Sequence, residues 1–507
     1  MPDLSHSVAF EPLAAHGAPR CWVIPAFLSD DECRQLIAQS EARGFAAADS
    51  DYPPSYRNND RQVLDDPALA ARLLPYLRAV APATLGSADG QPGTWRLDAI
   101  NDRFRFCRYR AAQSFGIHQD GVHHRSDTHR SLLTFMVYLT DGSEFEGGDT
   151  VFYDSGPGGP ARELARVRPR AGSLILFDHA LWHAGESLTS GVKHVLRSDV
   201  LYKRDVDVAT ATREPDFATA HRGYVWTLEP LAEGLFASGG RDADIHVWDT
   251  AGQRRGTLSG HRRSVLGLAA LTGGRLASVS RDRGLRIWNW RDGKCLAALE
   301  GAHEAAILSV LALADGALVT AGADGEIRHW SGDGRPLGLV GKQPSWAWTL
   351  AAAADGQVAC AYEDGRVLLW QPGRVDPTQT LAGKTPLRTL AIDATGSMLA
   401  TGDTTGTIRV WSSQGGAWRV ERAITAHAGA IRRLRLLADG SLVSVGEDGL
   451  VRGWNLKDSR AQTLGRHANF ATDLLQSGQA LFSCGYDGGI QQCSTRTAAT
   501  TIRECSP

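Results

Sequence analysis

Residues 261–288 read HRRSVLGLAALTGGRLASVSRDRGLRIW, and this segment is one copy of a unit that recurs through the second half of the chain. The copies end, 39 to 43 residues apart, at Trp248, Trp288, Trp330, Trp370, Trp411, Trp454 and Cys493. Self-similarity with a period of about 20–50 residues is typical of repeat architectures, in which each copy is one supersecondary unit. This unit therefore decides the fold from about residue 221 to the C-terminus.

Three further positions stay in phase with the end of each copy. A small side chain lies ten residues before the end, at Ser238, Ser278, Thr320, Cys360, Thr401, Ser444 and Ser483. The position six residues before the end holds Asp242, Asp282, Asp324, Asp364, Thr405, Asp448 and Asp487. The start of each copy holds His221, His261, His303, Gln343, Lys384, His427 and His467. The short apolar runs between these positions end at Asp-Gly-type turns, which predicts antiparallel strands.

This arrangement resembles the WD40 repeat, in which a His, a Ser or Thr, an Asp and a Trp form a hydrogen-bonded tetrad inside each blade of a β-propeller. The resemblance implies a seven-bladed propeller over residues 221–507, with complete tetrads in the first, second, third and sixth copies. The fourth and fifth copies are expected to have looser turns, because they depart from the pattern at Gln343, Cys360, Lys384 and Thr405. The fixed phase of the histidines favours a structural role over metal binding.

The first half of the chain shows no repeat. Residues 21–24 predict a strand, and Ser29 with Glu32 forms a capping box that begins a helix ending near Gly44. A second helix is predicted over 67–80. From Trp95 onward the pattern indicates short strands near 103–110, 115–120, 131–139, 149–153, 172–177 and 193–202. Strands at this density suggest a sandwich or jelly roll.

The sequence therefore predicts a mostly β protein with two domains. The first is a double-stranded β-helix (jelly roll) with flanking helices over 1–204, and the second is the propeller over 221–507. Residues 205–220 are interpreted as a linker that could instead donate an outer strand to the propeller. Residues 500–503 could also form such an outer strand.

Two residue types that bind iron, histidine and aspartate, occur close together in the first half. His118 and Asp120 lie two apart in a predicted strand, so both side chains can face one point. His179 or His183 could supply a third ligand. Two imidazoles and one carboxylate form the facial triad that suits Fe(II) and leaves coordination positions open. Beyond them, Lys193 and Arg197 share one face of a strand, where a buried cation could pair with a carboxylate.

The run from His118 to Arg204 resembles the prolyl-4-hydroxylase-type branch of the 2-oxoglutarate/Fe(II) oxygenases. That family has an H-x-D…H triad and a Lys or Arg nine or ten residues beyond the last His. The segments 146–150 (EGGDT) and 169–177 (PRAGSLILF) also resemble family strands. The resemblance implies the following site residues: His118, Asp120 and His183 for Fe(II), Lys193 for the 2-oxoglutarate carboxylate, and Tyr109 as a hydrogen-bond partner of the cosubstrate. Arg197, on the same strand face as Lys193, could share or take over the carboxylate contact.

Other polar residues near these positions have simpler interpretations. His179 is expected to be structural, and His123, His124 and His129 are expected to be solvated or to line the substrate edge. Arg57, Asn58, Asn59 and Arg61 could line the substrate mouth or form a well-bonded surface turn. Tyr224, Trp226, Trp346, Trp348 and Arg432 could anchor a partner or pack between blades.

Composition excludes some function classes. The formal net charge of −2 gives no electrostatic footprint for nucleic acid or an anionic membrane. No apolar stretch of about 18 residues suggests a membrane span, and the N-terminus lacks the pattern of a signal peptide. The eight cysteines are scattered, so reduced thiols and a cytoplasmic location are expected.

Three functions compete at this point. The first is an oxygenase that uses Fe(II), 2-oxoglutarate, O₂ and ascorbate to hydroxylate a protein substrate, with prolyl residues as the family precedent, recruited by the propeller. The second is a hydroxylase of a small molecule or free amino acid, with the propeller used for assembly. The third is a non-catalytic interaction protein. Asp120 favours hydroxylation over halogenation, because a halogenase leaves that ligand position to the halide.

Overall fold

The computed structural model describes residues 21–48, 53, 56–86, 94–126, 128–156, 161–204, 217, 220–371, 376–414, 417–437, 439–456, 460–478 and 480–493. The chain divides into two compact units, Met1–Glu214 (unit 1) and Pro215–Pro507 (unit 2). Most described residues lie in strands, which confirms the mostly β prediction. Within the described ranges, no helix is long and apolar enough to cross a membrane.

The described residues of unit 1 include two α-helices, α1 (Asp30–Arg43) and α2 (Pro67–Val80). The predicted capping box is present: the Glu32 amide donates to Ser29 Oγ at 3.3 Å, and the Ser29 amide donates to Glu32 Oε2 at 3.0 Å. Gly44 ends α1 with a φ of 82°, a conformation that favours glycine. Both predicted helices are confirmed, and they bury Leu36 and Leu73 against one face of the largest sheet.

Sixteen strands follow one another in unit 1. They are β1 (Cys21–Ile24), β2 (Ala46–Ala47), β3 (Asp60–Asp65), β4 (Thr84–Gly86), β5 (Thr94–Ile100), β6 (Arg103–Tyr109), β7 (Phe115–His118), β8 (His124–Ser126), β9 (His129–Tyr138), β10 (Phe145–Gly147), β11 (Thr150–Tyr153), β12 (Glu163–Val167), β13 (Leu174–Asp178), β14 (Trp182–Gly185), β15 (Leu188–Gly191) and β16 (Lys193–Arg204).

These strands form one large and one small antiparallel sheet. The large sheet has the order β1-β13-β9-β16-β6-β3-β2, with β4, β5 and β8 attached, and the small sheet has the order β12-β11-β14-β7. A short ladder joins β10 to β15. Side chains from both sheets form one buried cluster, which includes Tyr109, Tyr138, Phe152 and Phe177. The candidate site lies at this cluster, where β7 and β14 meet β16 and β6.

Unit 2 consists of seven antiparallel sheets in chain order, six with four strands and the last with three described strands. Sheet 1 contains β17 (Val225–Pro230), β18 (Phe236–Gly240), β19 (Asp244–Trp248) and β20 (Arg254–Ser259), and sheet 2 contains β21 (Val265–Leu271), β22 (Arg275–Ser280), β23 (Leu285–Asn289) and β24 (Lys294–Leu299). Sheet 3 contains β25 (Ile307–Ala312), β26 (Leu318–Gly322), β27 (Glu326–Trp330) and β28 (Pro336–Lys342), and sheet 4 contains β29 (Ala347–Ala352), β30 (Val358–Tyr362), β31 (Val367–Trp370) and β32 (Gln379–Leu381). Sheet 5 contains β33 (Leu387–Ile392), β34 (Met398–Asp403), β35 (Thr407–Gln414) and β36 (Ala417–Thr425). Sheet 6 contains β37 (Ile431–Leu436), β38 (Leu442–Gly446), β39 (Leu450–Trp454) and β40 (Ala461–Arg466). Sheet 7 contains β41 (Ala471–Ser477), β42 (Ala480–Gly485) and β43 (Ile490–Cys493).

The in-phase residues form a hydrogen-bonded tetrad within each complete repeat. In sheet 2, His261 bridges Ser278 Oγ at 2.8 Å and the Asp282 carboxylate at 2.9 Å, and Trp288 Nε1 donates to Ser278 Oγ at 2.8 Å. The same contacts occur in sheets 1, 3 and 6. Both ring nitrogens of each of these histidines therefore form hydrogen bonds within the tetrad. This structural role explains why a histidine recurs at the same position of these repeats.

Two of the three repeats that depart from the pattern, the fourth and the fifth, close their turns with other groups. In sheet 4, Arg366 donates to Gln343 Oε1 at 3.1 Å and pairs with Asp364 at 2.6 Å. In sheet 5, Asp403 accepts from the amide of Thr405 at 3.0 Å and pairs with Arg409 at 2.6 Å. These hydrogen bonds and ion pairs hold together the turns of sheets 4 and 5, which the sequence predicted to be looser.

The first and last sheets are joined directly. Asp473 Oδ2 in β41 accepts a hydrogen bond from the Leu228 amide in β17 at 2.9 Å. The ring of Phe217 lies 5.7 Å from the ring of Trp248 and 5.7 Å from that of Phe482. Phe217, which the sequence assigned to the linker, therefore packs into unit 2. Residues 205–216 and 500–503, the other proposed strand donors, lie outside the described residues.

The aromatic and arginine side chains after the His positions pack between neighbouring sheets while staying partly exposed. Tyr486 of sheet 7 stacks on Tyr224 of sheet 1 with ring centroids 4.0 Å apart. Arg388 Cζ of sheet 5 lies 4.3 Å from the ring centroid of Trp348 of sheet 4. Packing between sheets, one of the two roles expected for these residues, is therefore present.

The tetrads are expected to stabilise unit 2 measurably. Ser278→Ala should lower the free energy of unfolding by about 1–3 kcal/mol, because His261 and Trp288 each lose a buried hydrogen-bond partner. Urea denaturation followed by tryptophan fluorescence measures this. Ser259→Ala, an exposed serine on β20, serves as the control and should change stability by less than about 0.5 kcal/mol. Equal effects of the two substitutions would contradict a stabilising role for the tetrad.

Candidate metal centre

The three predicted iron ligands converge because two short strands pair. His118 is the last residue of β7, and its Cα partner across the ladder is His183 in β14. The sequence had placed Asp120 within the strand, but in the structure this residue lies past the end of β7. Its amide donates to the carbonyl of His179 at 3.0 Å, which brings the carboxylate back toward the two imidazoles. One ligand atom of each residue lies within 4.8 Å of the others.

The imidazoles are oriented by backbone carbonyls. Nδ1 of His118 lies 2.8 Å from the Gly116 carbonyl, and Nδ1 of His183 lies 2.9 Å from the Leu181 carbonyl. A carbonyl only accepts, so each Nδ1 must carry the proton and each Nε2 must present a lone pair. The two Nε2 atoms lie 3.5 Å and 3.7 Å from the Asp120 carboxylate oxygens.

The arrangement fits a divalent metal. Nε2 of His118 is buried and makes no hydrogen bond within the part of the chain that the structure describes. A buried polar atom without a hydrogen bond is costly unless another partner satisfies it, and a metal ion would do so. Two imidazole nitrogens and one carboxylate are the donor set of the Fe(II) facial triad.

The protonation states also suit metal binding. Burial lowers the pKa of His183 to about 3 and also lowers the pKa of His118, so both rings are neutral at physiological pH. Burial alone would raise the pKa of Asp120, but Arg197, His183 and His118 together outweigh it and hold that pKa well below its usual value. The site therefore holds two neutral imidazoles and a carboxylate, the forms that coordinate metal.

His179 lies beside the triad with both ring nitrogens occupied. Its Nε2 lies 2.9 Å from Ser131 Oγ and its Nδ1 lies 3.1 Å from Thr134 Oγ1. Thr134 in turn donates to Asp120 Oδ2 at 2.5 Å. The two residues therefore hold the carboxylate in place. No sequence pattern singles out Thr134, because its contact with Asp120 joins two segments that do not pair as neighbouring strands.

A cavity opens from the triad toward β16 and β6. Lys193, the first residue of β16, is buried in its wall opposite Tyr109, its Cα partner in β6. The ammonium donates to the Gly148 carbonyl and lies 5.4 Å from the ring centroids of both Tyr109 and Tyr138. Burial lowers the pKa of Lys193 to about 8 and raises the pKa of Tyr109 to about 12. Thr150, which the sequence did not single out, also lines this end of the cavity.

Arg197 lies at the other end of the same strand face. Its guanidinium forms an ion pair with Asp120, and Asp199 is a second acidic neighbour. The structure thus separates the two cations that the sequence left as alternatives. Lys193 lies beside Tyr109, and Arg197 lies against one of the candidate metal ligands.

Of the polar loop before β3, only Arg57 lines the cavity. Its Nε donates to Asn59 Oδ1 at 2.6 Å, and its Cζ lies 4.3 Å from the ring centroid of Phe115, which stacks on His118 at 3.6 Å. Asn58 instead joins the loop to the segment before β7, accepting from the Ser114 amide at 2.7 Å.

Arg61 lies in β3 opposite Cys107, outside the cavity lining. The amide of His123 donates to Ser131 Oγ at 2.8 Å, and His129 pairs with Asp98 at 3.0 Å. The side chain of His124 lies outside the described residues.

Comparisons with known proteins agree with this site. Residues 104–198 match the family model of the 2OG-Fe(II) oxygenase superfamily. Residues 252–289, 293–331, 375–412 and 418–455 match the model of the WD domain, G-beta repeat. A PKHD-type hydroxylase of Prochlorococcus marinus is 23% identical over 146 residues, which are 28% of this chain and 55% of that protein.

The chain therefore contains a 2OG-Fe(II) oxygenase domain followed by WD40 repeats, as the sequence predicted. The PKHD-type hydroxylase supports the prolyl-hydroxylase-type resemblance. The chain spans about half the length of that relative.

Two histidine substitutions separate metal binding from structural support. His183→Ala should weaken Mn(II) or Fe(II) binding by more than about a hundredfold, because a ligand is lost, whereas His179→Ala should weaken it by about tenfold or less. His179→Ala should instead lower the free energy of unfolding by about 1–3 kcal/mol, because Ser131 and Thr134 lose a buried partner. Anaerobic titration calorimetry and urea denaturation measure the two effects. Equal loss of metal binding in both variants would contradict this ligand assignment.

Proposed function

We propose that this protein is an Fe(II)- and 2-oxoglutarate-dependent dioxygenase that hydroxylates a protein substrate and releases succinate and CO₂. The observation that carries the proposal is one cavity lined by two histidines of a buried His-Asp-His triad and by a buried lysine. The triad would supply three ligands to Fe(II), and this ligand set would leave coordination positions for a chelating 2-oxo acid and O₂. The lysine supplies the charge that the distal carboxylate of such an acid requires.

In this proposal His118, Asp120 and His183 hold the metal. Bound Fe(II) supplies the redox chemistry that couples oxidation of 2-oxoglutarate by O₂ to substrate hydroxylation. Asp120 keeps a protein ligand at the position that a halogenase leaves open, which favours hydroxylation. Since the ligands are buried and fixed by Gly116, Leu181 and Thr134, little reorganisation is needed before metal binds.

Lys193 is the proposed partner of the distal 2-oxoglutarate carboxylate. An ammonium has three N–H donors, and the Gly148 carbonyl accepts from one of them. The Tyr109 hydroxyl and the Thr150 hydroxyl border the same end of the cavity. Arg197 is the weaker candidate, because its charge is engaged by Asp120. Phe115, Met136 and Val195 line the remaining wall and limit the access of water, which strengthens charge pairing inside.

The finer description of the fold follows from the same observations. The two facing sheets of unit 1 support a double-stranded β-helix, whose core contains Tyr138 and Phe152. The seven consecutive sheets of unit 2, with the first and last joined by Leu228 and Asp473, support a closed seven-bladed propeller. WD40 repeats generally mediate protein–protein interaction, and we propose that this propeller recruits the protein substrate.

A second candidate function is hydroxylation of a small molecule or a free amino acid, with the propeller used for assembly. The observation that favours it is Arg57, a buried guanidinium in the cavity wall that could pair with a substrate carboxylate. Ascorbate as reductant and a cytoplasmic location are carried over from the family resemblance and the composition. An intact triad with Lys193 disfavours a purely non-catalytic scaffold.

The direct test is succinate release by the purified full chain supplied with Fe(II), 2-oxoglutarate and ascorbate. Turnover without substrate is expected to be slow and to disappear in His183→Ala, because the metal is lost. His329→Ala, a partly buried histidine on β27 in unit 2, is the matched control and should keep wild-type turnover. Succinate release that survives His183→Ala, or an absence of release together with an absence of metal binding, would overturn the proposal.

The pKa of Lys193 predicts how cosubstrate affinity depends on pH. In the free protein this pKa is lowered to about 8, so the ammonium loses its charge as pH rises above that value. The affinity for 2-oxoglutarate should therefore fall by about tenfold per pH unit above about pH 8. Lys193→Arg should remove this dependence, because a guanidinium stays charged. Anaerobic calorimetry between about pH 7 and 9.5 measures it, and an identical pH profile in both proteins would assign the carboxylate to another residue.

A further inference from the structure

Six arginines lie on the turns at one end of sheets 1 and 2 in unit 2. They are defined here as the arginine face: Arg222, Arg241, Arg262, Arg263, Arg281 and Arg283. Arg222, Arg262 and Arg263 follow the His positions of their repeats, and the other three flank the tetrad aspartates. The oxygenase site makes no use of any of these residues.

Hydrogen bonds show that these turns lie together at the same end of the two sheets. The amide of Arg222 donates to Asp242 Oδ2 at 2.9 Å, and the amide of Arg262 donates to Asp282 Oδ2 at 2.8 Å. The amide of Arg241 donates to the Tyr224 carbonyl at 2.8 Å. Each turn that follows a His position is therefore tied to the turn that holds the tetrad aspartate.

Arginines outnumber carboxylates on these turns, and Glu300 offsets part of the charge of Arg262. Asp242 and Asp282 accept from the tetrad histidines and from backbone amides. Glu300 pairs with both Arg262 and Arg286. The side chains of Arg222 and Arg283 are exposed. Exposed guanidinium groups at this spacing produce a positive potential over the turns.

Arg283 occupies a backbone position that favours glycine. Its φ is 68°, in the left-handed region. The equivalent turn position holds Ala243 in sheet 1, with a φ of 71°, and Gly325, Gly365, Gly406, Gly449 and Gly488 in sheets 3 to 7, all with positive φ. A side chain is strained in this region, so the turn itself does not require an arginine at position 283.

Two aromatic side chains adjoin the arginines. Arg241 Cζ lies 4.8 Å from the ring centroid of Tyr224, and Arg281 Cζ of sheet 2 lies 5.8 Å from that of Trp226 in sheet 1. Both rings remain partly exposed. Arginine next to a partly exposed aromatic ring is the composition found at the energetic centre of protein interfaces.

At these turn positions, arginines occur in sheets 1 and 2 and not in sheets 3 to 7. The position of Arg222 and Arg262 is Glu304 in sheet 3, and the position of Arg241 and Arg281 is Glu363 in sheet 4 and Glu447 in sheet 6. Two of those carboxylates pair with arginines of neighbouring strands, Arg388 and Arg432. A long polyanion bound across this end of unit 2 would extend beyond the arginines to the exposed Glu304, whose negative charge would repel it.

We propose that the arginine face binds a short acidic peptide segment of a partner protein, with Tyr224 and Trp226 contacting an apolar side chain of that segment. This rests on the proposed role of the propeller in recruiting a protein and specifies the chemistry of what it recruits. A nucleic acid fits less well, because the patch is short, acidic residues border it and the chain carries a net charge of −2.

The test is fluorescence anisotropy with the intact protein and a short fluorescein-labelled peptide rich in glutamate and containing one leucine. Binding is expected at low ionic strength and should weaken as salt is added. The double substitution Arg222→Glu and Arg283→Glu should weaken binding by about tenfold or more. Arg254→Glu, an exposed arginine on β20, is the matched control and should leave binding unchanged. A glutamine-rich version of the peptide should not bind.

Arg283→Gly separates binding from folding. It should raise the midpoint of urea denaturation, because glycine adopts the left-handed conformation without strain, and it should still weaken peptide binding. The proposal is overturned if the acidic peptide does not bind, if the double substitution leaves binding unchanged, or if a single-stranded oligonucleotide binds more tightly than the peptide. The titration needs neither metal nor 2-oxoglutarate, so a failure of the oxygenase proposal would not affect its outcome.

Discussion

The pairing of β7 with β14 is the constraint on which the candidate site depends. It places His118 directly opposite His183, two residues that are far apart in the chain. Because both strands are short, the chain turns immediately after His118, and the hydrogen bond from the Asp120 amide to the His179 carbonyl directs the carboxylate to the same point. A change of one residue in this register would turn one imidazole to the opposite face of the sheet.

Burial makes the negative charges of this site energetically costly, and β16 supplies Arg197 to compensate them. Asp120 and Asp199 are both buried, and a buried carboxylate needs a cation or several hydrogen bonds. Arg197 lies between them and pairs with Asp120, while Arg105 and Asn101 contact Asp199. Lys193, four residues earlier on the same face, is left at the far end of the cavity with a carbonyl as its hydrogen-bond acceptor. This distribution gives each cation a different proposed role.

Unit 2 uses similar chemical groups for a different purpose. His221, Asp242 and His246 lie close enough together to resemble a metal site, as do His303, Asp324 and Glu326. The ring nitrogens of His221 and His303 are already bonded to the tetrad serine or threonine and aspartate, so these clusters hold turns together. With the turns fixed in this way, their outward side chains can vary from repeat to repeat. The arginine face and the bordering glutamates are examples of that variation.

The sequence by itself determined the features that depend on local or periodic patterns. Helices α1 and α2, the seven repeats and their tetrads followed from capping residues and from fixed spacing, because neighbours along the chain create those interactions. His118 and Asp120 could also be recognised as a pair, although the sequence placed both within a strand that in fact ends at His118.

Only the tertiary structure decided which distant residues meet. The family resemblance had already assigned His183 to the triad and a structural role to His179, but only the tertiary structure separated Lys193 from Arg197 and brought Arg57, and neither Asn58 nor Arg61, to the cavity. The role of Thr134 had no sequence signal at all. The physical reason is that these contacts join segments far apart in the chain, and their register is set by burial over the whole sheet rather than by any local pattern.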